Sequence, residues 1–138
     1  MTVYKKIAVA IDFSEQSIKA FRRAIEMAKD FNAKLLIAHV VDTSFGSIAA
    51  YDLKFAEEMK VEAKEKLKQY KKIAEDDGVA DVEIYVEEGV AKSILSSLAD
   101  IDLMICGATG YSKIEKLLIG SVAERIVRHS KYDVLVVR

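Results

Sequence analysis

Several classes of protein are excluded by what this sequence lacks. It contains one cysteine, Cys106, and no proline, so it has no internal disulfide framework, no cysteine-based zinc site and no proline-rich linker. No apolar run approaches the roughly 20 residues that a membrane span needs, and the segment before Asp12 has too few apolar residues for a secretory core. We therefore expect a cytoplasmic protein without a membrane partner, in which Cys106 is a buried and inert thiol.

A strong charge of either sign is also missing. The 21 lysines and arginines nearly balance the 22 aspartates and glutamates, which leaves a net charge of -1. Nucleic acid is therefore not an expected partner, because broad nucleic-acid binding needs a basic surface. With 138 residues, of which 51% are hydrophobic, the chain is long enough to bury about two thirds of its unfolded surface. We predict a single domain over residues 1–138.

Apolar runs alternate along the chain with amphipathic segments of helical periodicity. The runs predict strands over residues 3–11, 35–41, 82–86, 102–106 and 133–138. The amphipathic segments predict a helix capped by Ser14 and extending past Ala28, followed by helices over residues 54–76, 90–99 and 121–129. Residues 43–52 fit neither pattern and are predicted to form a loop, and the alternating 82–86 strand is predicted to lie near an edge. This order indicates an α/β fold: an open sheet of five parallel strands with helices on both faces.

Two loops of this sheet are candidates for a ligand site. Ligands bind open parallel sheets beyond the carboxyl ends of the strands, where the winding direction reverses. Asp12 follows the first strand, and Gly107 and Gly110 follow the fourth. The two loops would lie side by side if the first and fourth strands are neighbours.

The glycines after the fourth strand match neither common nucleotide motif. A Walker loop needs a Gly-Lys pair, and this chain has none. A dinucleotide fingerprint needs glycines directly after the first strand, where the sequence has Asp12-Phe13-Ser14-Glu15 instead. The fourth strand leads into Gly107-x-x-Gly110, nine further residues and then Gly120-Ser121. This arrangement predicts a phosphate site made of close-approaching backbone, a helix N-terminus and a hydroxyl group.

This pattern, with KKIAVAIDFSEQSIKAF near the start and VAERIVRHSKYDVLVVR at the end, resembles the universal stress protein family in its ATP-binding subgroup. The resemblance extends from Lys5 to Arg138. It implies a Rossmann-like, adenine nucleotide alpha hydrolase-like sheet of strand order 3-2-1-4-5, in which the first and fourth strands are adjacent. Many family members have a proline just before the last strand, where this chain has Lys131-Tyr132.

The resemblance also implies a ligand and the residues that hold it. The ligand would be ATP, or ADP or AMP, with Mg²⁺ as the accompanying ion. The residues implied for ribose, phosphates and adenine are Ala10, Ile11, Asp12, Val40, Gly107, Ala108, Gly110, Gly120, Ser121 and Val122. A homodimer would form through the last strand, Val134 to Val137, whose apolar edge needs a cover.

Three functions are compatible with these residues. The leading hypothesis is a dimeric, ATP-binding sensor or regulatory module of the stress response, since no arginine finger or clear base accompanies Asp12. The first alternative is slow ATP hydrolysis by Asp12 and bound Mg²⁺. The second is a nucleotide-independent, dimeric interaction protein. His39 lies within a strand and is predicted to be a packed core or helix-contact residue.

Overall fold

Five parallel strands and four helices alternate along the part of the chain that the structure describes. The computed structural model describes residues 3–43, 53–109 and 119–138. The strands are β1 (Lys6–Ala10), β2 (Lys34–Asp42), β3 (Val82–Gly89), β4 (Leu103–Gly107) and β5 (Asp133–Val137). The helices are α1 (Glu15–Phe31), α2 (Leu53–Asp76), α3 (Ala91–Ser96) and α4 (Ser121–His129).

The sheet has the strand order β3-β2-β1-β4-β5. All four pairings are parallel, and β1 lies directly beside β4, with Ile7 opposite Leu103. The winding therefore reverses between β1 and β4, and the loops after these two strands are neighbours. The predicted α/β class, strand order and edge position of β3 are confirmed.

Both faces of the sheet are covered, which explains the nearly continuous apolar runs of its central strands. Alternate side chains point to opposite faces, so Val9 and Ile37 pack with α1 and α2, while Ala8 and Met104 pack with α3 and α4. All four of these side chains are fully buried. The two apolar layers hold β1 and β4 rigidly, and both strands end at the same edge of the sheet.

Helix α1 begins where the sequence predicted. Ser14 is its N-cap, and the Ser14 hydroxyl accepts a hydrogen bond from the Ser17 backbone N–H at 3.2 Å. The helix ends at Phe31, and its C-cap, Asn32, takes the left-handed conformation with φ 54°. The Ser14 cap places the first turn of α1 directly beyond the end of β1.

Three predicted boundaries were wrong. Strand β1 begins at Lys6 instead of residue 3. Strand β3 continues to Gly89, because Glu87 and Glu88 pair with β2 through their backbones, which leaves no hydrophobic signal. Helix α3 ends at Ser96 instead of residue 99, and the chain then reaches β4 through Asp100, which has a φ of 62°. The predicted 43–52 loop lies outside the described residues except for Thr43. Among the described helices, none has the length and apolar character that a membrane span requires.

Candidate functional site

A cleft of about 420 Å³ opens at the carboxyl ends of β1, β2 and β4. Its lining comes from these strand ends, from the first turn of α1, from α3 and from the start of α4. The lining residues are Ala10, Ile11, Asp12, Ser17, Val40, Asp42, Ala91, Leu95, Cys106, Gly107, Ala108, Thr109, Gly120, Ser121, Val122 and Ala123. The cleft thus lies where the winding of the sheet reverses, as ligand sites of such sheets do.

All but one of the residues predicted for the ligand lie on this cleft. They arrive from three separate parts of the chain: the end of β1, the end of β2 and the connection from β4 to α4. The exception is Gly110, which lies outside the described residues. The predicted residues that line the cleft are Ala10, Ile11, Asp12, Val40, Gly107, Ala108, Gly120, Ser121 and Val122.

Asp12 has a structural bond in addition to its place in the cleft lining. Its Oδ1 atom accepts hydrogen bonds from the Ser14 backbone N–H at 2.9 Å and from the Ser14 hydroxyl. This is the local turn that aspartate side chains favour. Asp12 therefore shapes the β1–α1 turn, and it also supplies a carboxylate to the cleft.

Gly107 is required for a reason that the sequence did not indicate. A Cβ atom added there would lie 2.9 Å from the Gln16 Cβ and 3.0 Å from the Gln16 carbonyl carbon. The first turn of α1 therefore packs directly against the end of β4. Glycine at this position allows the walls from α1 and from β4 to meet.

The N-terminus of α4 opens onto the cleft. Gly120 is the N-cap, with φ -64° and ψ 159°, and no side chain of the described residues caps this helix end. The Gly120 N–H donates to the Ala108 carbonyl at 2.6 Å, which ties the helix start to the loop after β4. The first N–H groups of a helix have no partners within the helix, so those of Ser121, Val122 and Ala123 are available to an anion. The helix dipole adds partial positive charge at the same place.

The family model described as universal stress protein family matches residues 3–138. This match covers nearly the whole chain. The chain belongs to the universal stress protein family.

Relatives and solved structures agree with this assignment. A putative universal stress protein of Staphylococcus saprophyticus is 41% identical over 143 residues, covering 100% of this chain and 86% of that protein. The universal stress protein UspA from Lactobacillus plantarum superposes with a TM-score of 0.88 at 26% identity, covering 100% of both chains. A universal stress protein solved in complex with cAMP gives a TM-score of 0.75 at 30% identity, covering 99% of this chain and 98% of that one.

Asp42 is a residue of this universal stress protein site that the sequence analysis missed. It ends β2 and lines the cleft, and its Oδ2 atom accepts a hydrogen bond from the Ala91 backbone N–H at 3.3 Å. The position after a buried strand was the signal that identified Asp12, and it applies equally to Asp42. The other lining residues that were missed are Ser17, Ala91, Leu95, Cys106, Thr109 and Ala123.

Cys106 lines the cleft, and Tyr132 bonds to another residue that does. The Cys106 side chain is buried, and burial raises the pKa of its thiol to about 11. The thiol is therefore neutral at physiological pH, and its predicted burial is confirmed. The Tyr132 hydroxyl donates to the carbonyl of Leu95, a lining residue, and burial raises the pKa of Tyr132 to about 12. Tyr132 thus joins the start of β5 to α3.

Asp12 and Asp42 are the charged side chains among the described lining residues. Within residues 3–43, 53–109 and 119–138, no group of three or more His, Cys, Asp or Glu side chains is placed to hold a metal ion. Asp12 and Asp42 offer carboxylate oxygens, which Mg²⁺ takes as ligands. Mg²⁺ commonly binds in this way, through one or two carboxylates and the phosphates of a nucleotide.

Proposed function

We propose that this universal stress protein binds an adenine nucleotide, with ATP as the leading ligand, and acts as a dimeric regulatory module of the stress response in the cytoplasm. The observation that carries the proposal is the N-terminus of α4, which opens onto a cleft at the point where the sheet reverses its winding and has no side-chain cap from the part of the chain that the structure describes. Such a helix end binds phosphate through backbone N–H groups and the helix dipole. Its cleft of about 420 Å³ lies within the usual range for small-molecule sites.

The two sides of the cleft differ in charge in a way that suits a nucleotide. The side formed by β4 and α4 offers Gly107 and the free N–H groups of the first helical turn. The side formed by β1 and β2 offers the carboxylates of Asp12 and Asp42. The helix N-terminus would bind the phosphates, and the carboxylates would accept hydrogen bonds from the donor groups of ribose and adenine. Each hydrogen bond to a charged phosphate contributes about 1.5–3 kcal/mol, so three or four can hold a nucleotide without a Walker lysine.

The choice of adenine is supported by the relative solved in complex with cAMP, which is 30% identical over 99% of this chain. We infer the same class of base for this cleft. Mg²⁺, where it takes part, would arrive on the phosphates of ATP. ATP, ADP and AMP differ in their number of phosphates. Their relative affinities therefore show how many phosphates the cleft binds.

The proposal is tested by calorimetric titration and thermal shift of nucleotide-free protein with ATP, ADP and AMP. A ligand present at 100 times its dissociation constant stabilises the folded state by about 2.7 kcal/mol. For 138 residues this corresponds to a rise in melting temperature of roughly 9 °C. If no adenine nucleotide shifts the transition, the proposal is wrong, and the nucleotide-independent interaction protein becomes the better description.

A pair of variants at Ser121 tests the role of the helix N-terminus. Ser121 is the first residue of α4, where proline is well tolerated, and the extended Gly120 suits a following proline. Ser121→Pro removes the backbone N–H and the hydroxyl group, whereas Ser121→Ala removes the hydroxyl group alone. We expect Ser121→Pro to bind ATP at least about tenfold more weakly than Ser121→Ala, with both variants folded. Equal affinities of the two variants would place the phosphates elsewhere.

Slow hydrolysis is the alternative that the same cleft allows, and a phosphate-release assay distinguishes it. The described lining contains no lysine or arginine that could stabilise a transferring phosphate. We therefore expect bound ATP to persist. Multiple turnover at about 1 per second or faster, lost in Asp12→Asn, would contradict a binding-only function.

The dimer in this proposal forms along β5, which is an edge strand. The Val137 carbonyl accepts from Ala108 on the β4 side, so the backbone groups of the alternate residues Val134 and Val136 point away from β4. In the described part of the chain, no strand pairs with this outer side of β5. A second copy of the same strand would satisfy these groups and cover the apolar edge.

A further inference from the structure

We propose that His39 is a positioning residue that fixes the Asp12 side of the nucleotide cleft from behind. This inference rests on the proposed function, because it concerns how the same cleft is held in shape. Neither His39 nor its ring partner Phe13 is among the lining residues. His39 acts on Asp12 through the two chain neighbours of Asp12, which are Ile11 and Phe13.

The first contact is a hydrogen bond to the residue before Asp12. The His39 Nδ1 atom lies 2.7 Å from the Ile11 carbonyl oxygen. A carbonyl only accepts, so Nδ1 carries the proton and donates it. Val40, the next residue of β2, lines the cleft, and successive side chains of a strand point to opposite faces. His39 therefore holds the end of β1 from the face opposite to the cleft.

The second contact concerns the residue after Asp12. Phe13 has a φ of 66°, the left-handed conformation that bulky residues rarely adopt. Its ring centroid lies 4.7 Å from that of His39 and 6.0 Å from that of Tyr70, and the Lys66 Nζ atom lies 4.8 Å from the Phe13 ring centroid. Such a conformation persists where the surroundings hold it. The ring of His39 and the side chains of α2 keep Phe13 in this conformation.

Asp12 is thus fixed on both sides by one histidine. Ile11 is held through its carbonyl and Phe13 through its ring, which leaves the Asp12 carboxylate in the cleft lining and bonded to Ser14. A change at His39 would move this carboxylate relative to the helix N-terminus on the other side. The nucleotide would then lose contacts on one side of the cleft.

Two substitutions separate the contribution of the His39 hydrogen bond from that of its ring contact. His39→Asn can place an amide N–H where Nδ1 lies and therefore keeps the hydrogen bond to Ile11. His39→Phe keeps a ring against Phe13 but has no donor. Ile37→Val is the control, because Ile37 is fully buried on the same strand and face but does not line the cleft.

Calorimetric titration with ATP gives the first readout. We expect His39→Phe to bind about fivefold to tenfold more weakly than the wild type, which corresponds to one lost hydrogen bond. We expect His39→Asn to remain within about twofold of the wild type, and Ile37→Val to bind unchanged. Unchanged binding by His39→Phe, or equal weakening in His39→Phe and His39→Asn, would overturn the inference while leaving nucleotide binding itself established.

Hydrogen exchange of the Ser14 amide gives a second readout that needs no nucleotide. This N–H is bonded to Asp12 Oδ1 at 2.9 Å, so its protection reports the position of the carboxylate. We expect exchange in His39→Phe to be at least about fivefold faster than in Ile37→Val, and His39→Asn to restore the protection. Equal exchange in His39→Phe and Ile37→Val would overturn the inference. A wild type that binds no nucleotide would contradict the proposed function alone.

Discussion

Replacing Gly107 by alanine tests the contact that joins the two walls of the cleft. The added Cβ would lie 2.9 Å from the Gln16 Cβ, 3.0 Å from its carbonyl carbon and 3.1 Å from its carbonyl oxygen. Two of these three atoms are backbone, so a rotamer change cannot relieve the overlap. The start of α1 has to move away from β4 instead.

The expected loss of stability is the difference between two terms. Inserting a methyl group into packed structure costs about 1–3 kcal/mol. Alanine also restricts the unfolded chain, which offsets about 0.4–1 kcal/mol. With the middle of each range, about 2 and about 0.7 kcal/mol, the net destabilisation is about 1.3 kcal/mol. For 138 residues, this lowers the melting temperature by roughly 4–5 °C.

Urea and thermal unfolding followed by circular dichroism measure this loss, and amide exchange locates it. We expect faster exchange in the first turn of α1, next to Gln16. Gly78→Ala is the matched control, because Gly78 has a φ of 113° and an added Cβ there would only touch the Lys29 side chain, at 3.4 Å. It should lower stability through backbone strain and leave the start of α1 protected. A Gly107→Ala variant as stable as the wild type, or one without faster exchange at α1, would refute the packing argument.

Three further predictions concern other parts of the molecule. Burial lowers the pKa of His39, against the opposing effects of its bond to Ile11 and the charge of Asp12, so the folded state resists its protonation. The free energy of unfolding should therefore fall as the pH drops below the ordinary histidine pKa of 6.5. In urea titrations, His39→Asn should show a weaker pH dependence than the wild type. Identical pH profiles of the two proteins would contradict this prediction. Because the Cys106 thiol is buried with a pKa raised to about 11, it should react with a thiol reagent at about pH 7.5 only after unfolding, and rapid reaction of the native protein would argue against that burial. Val136→Pro removes an outward N–H of β5 and should yield monomers in light scattering, whereas Val136→Thr should remain dimeric; a dimeric Val136→Pro protein would place the interface elsewhere.

The fold could be predicted from the sequence because its signal is local. Strands buried on both faces need apolar residues at nearly every position, as in Ile7 to Ile11, and helices between them need one apolar stripe. These patterns do not depend on the details of side-chain packing. The end of β3 was predicted wrongly, because backbone pairing with β2 sets it. Helix α3 ends at Ser96, three residues before its apolar pattern does.

The site was partly predictable for the same reason. Asp12 follows β1 and Gly107 ends β4, and the strand order places these two strands side by side. Asp42 stands in an equivalent position at the end of β2, so a wider use of the same rule would have found it. Leu95 and Ser17 lie on helices, and only the packing of those helices brings them to the cleft.

By itself, the sequence determined the α/β class, the alternation of elements, the capped start of α1 and the location of the glycine-rich loop. Only the tertiary structure decided that the first turn of α1 packs against Gly107 and that Tyr132 bonds to Leu95. It also decided that His39 contacts the residues on both sides of Asp12. The physical reason is distance along the chain. Propensity, capping and periodicity act between residues a few positions apart, whereas these contacts join residues that only the folded sheet brings together.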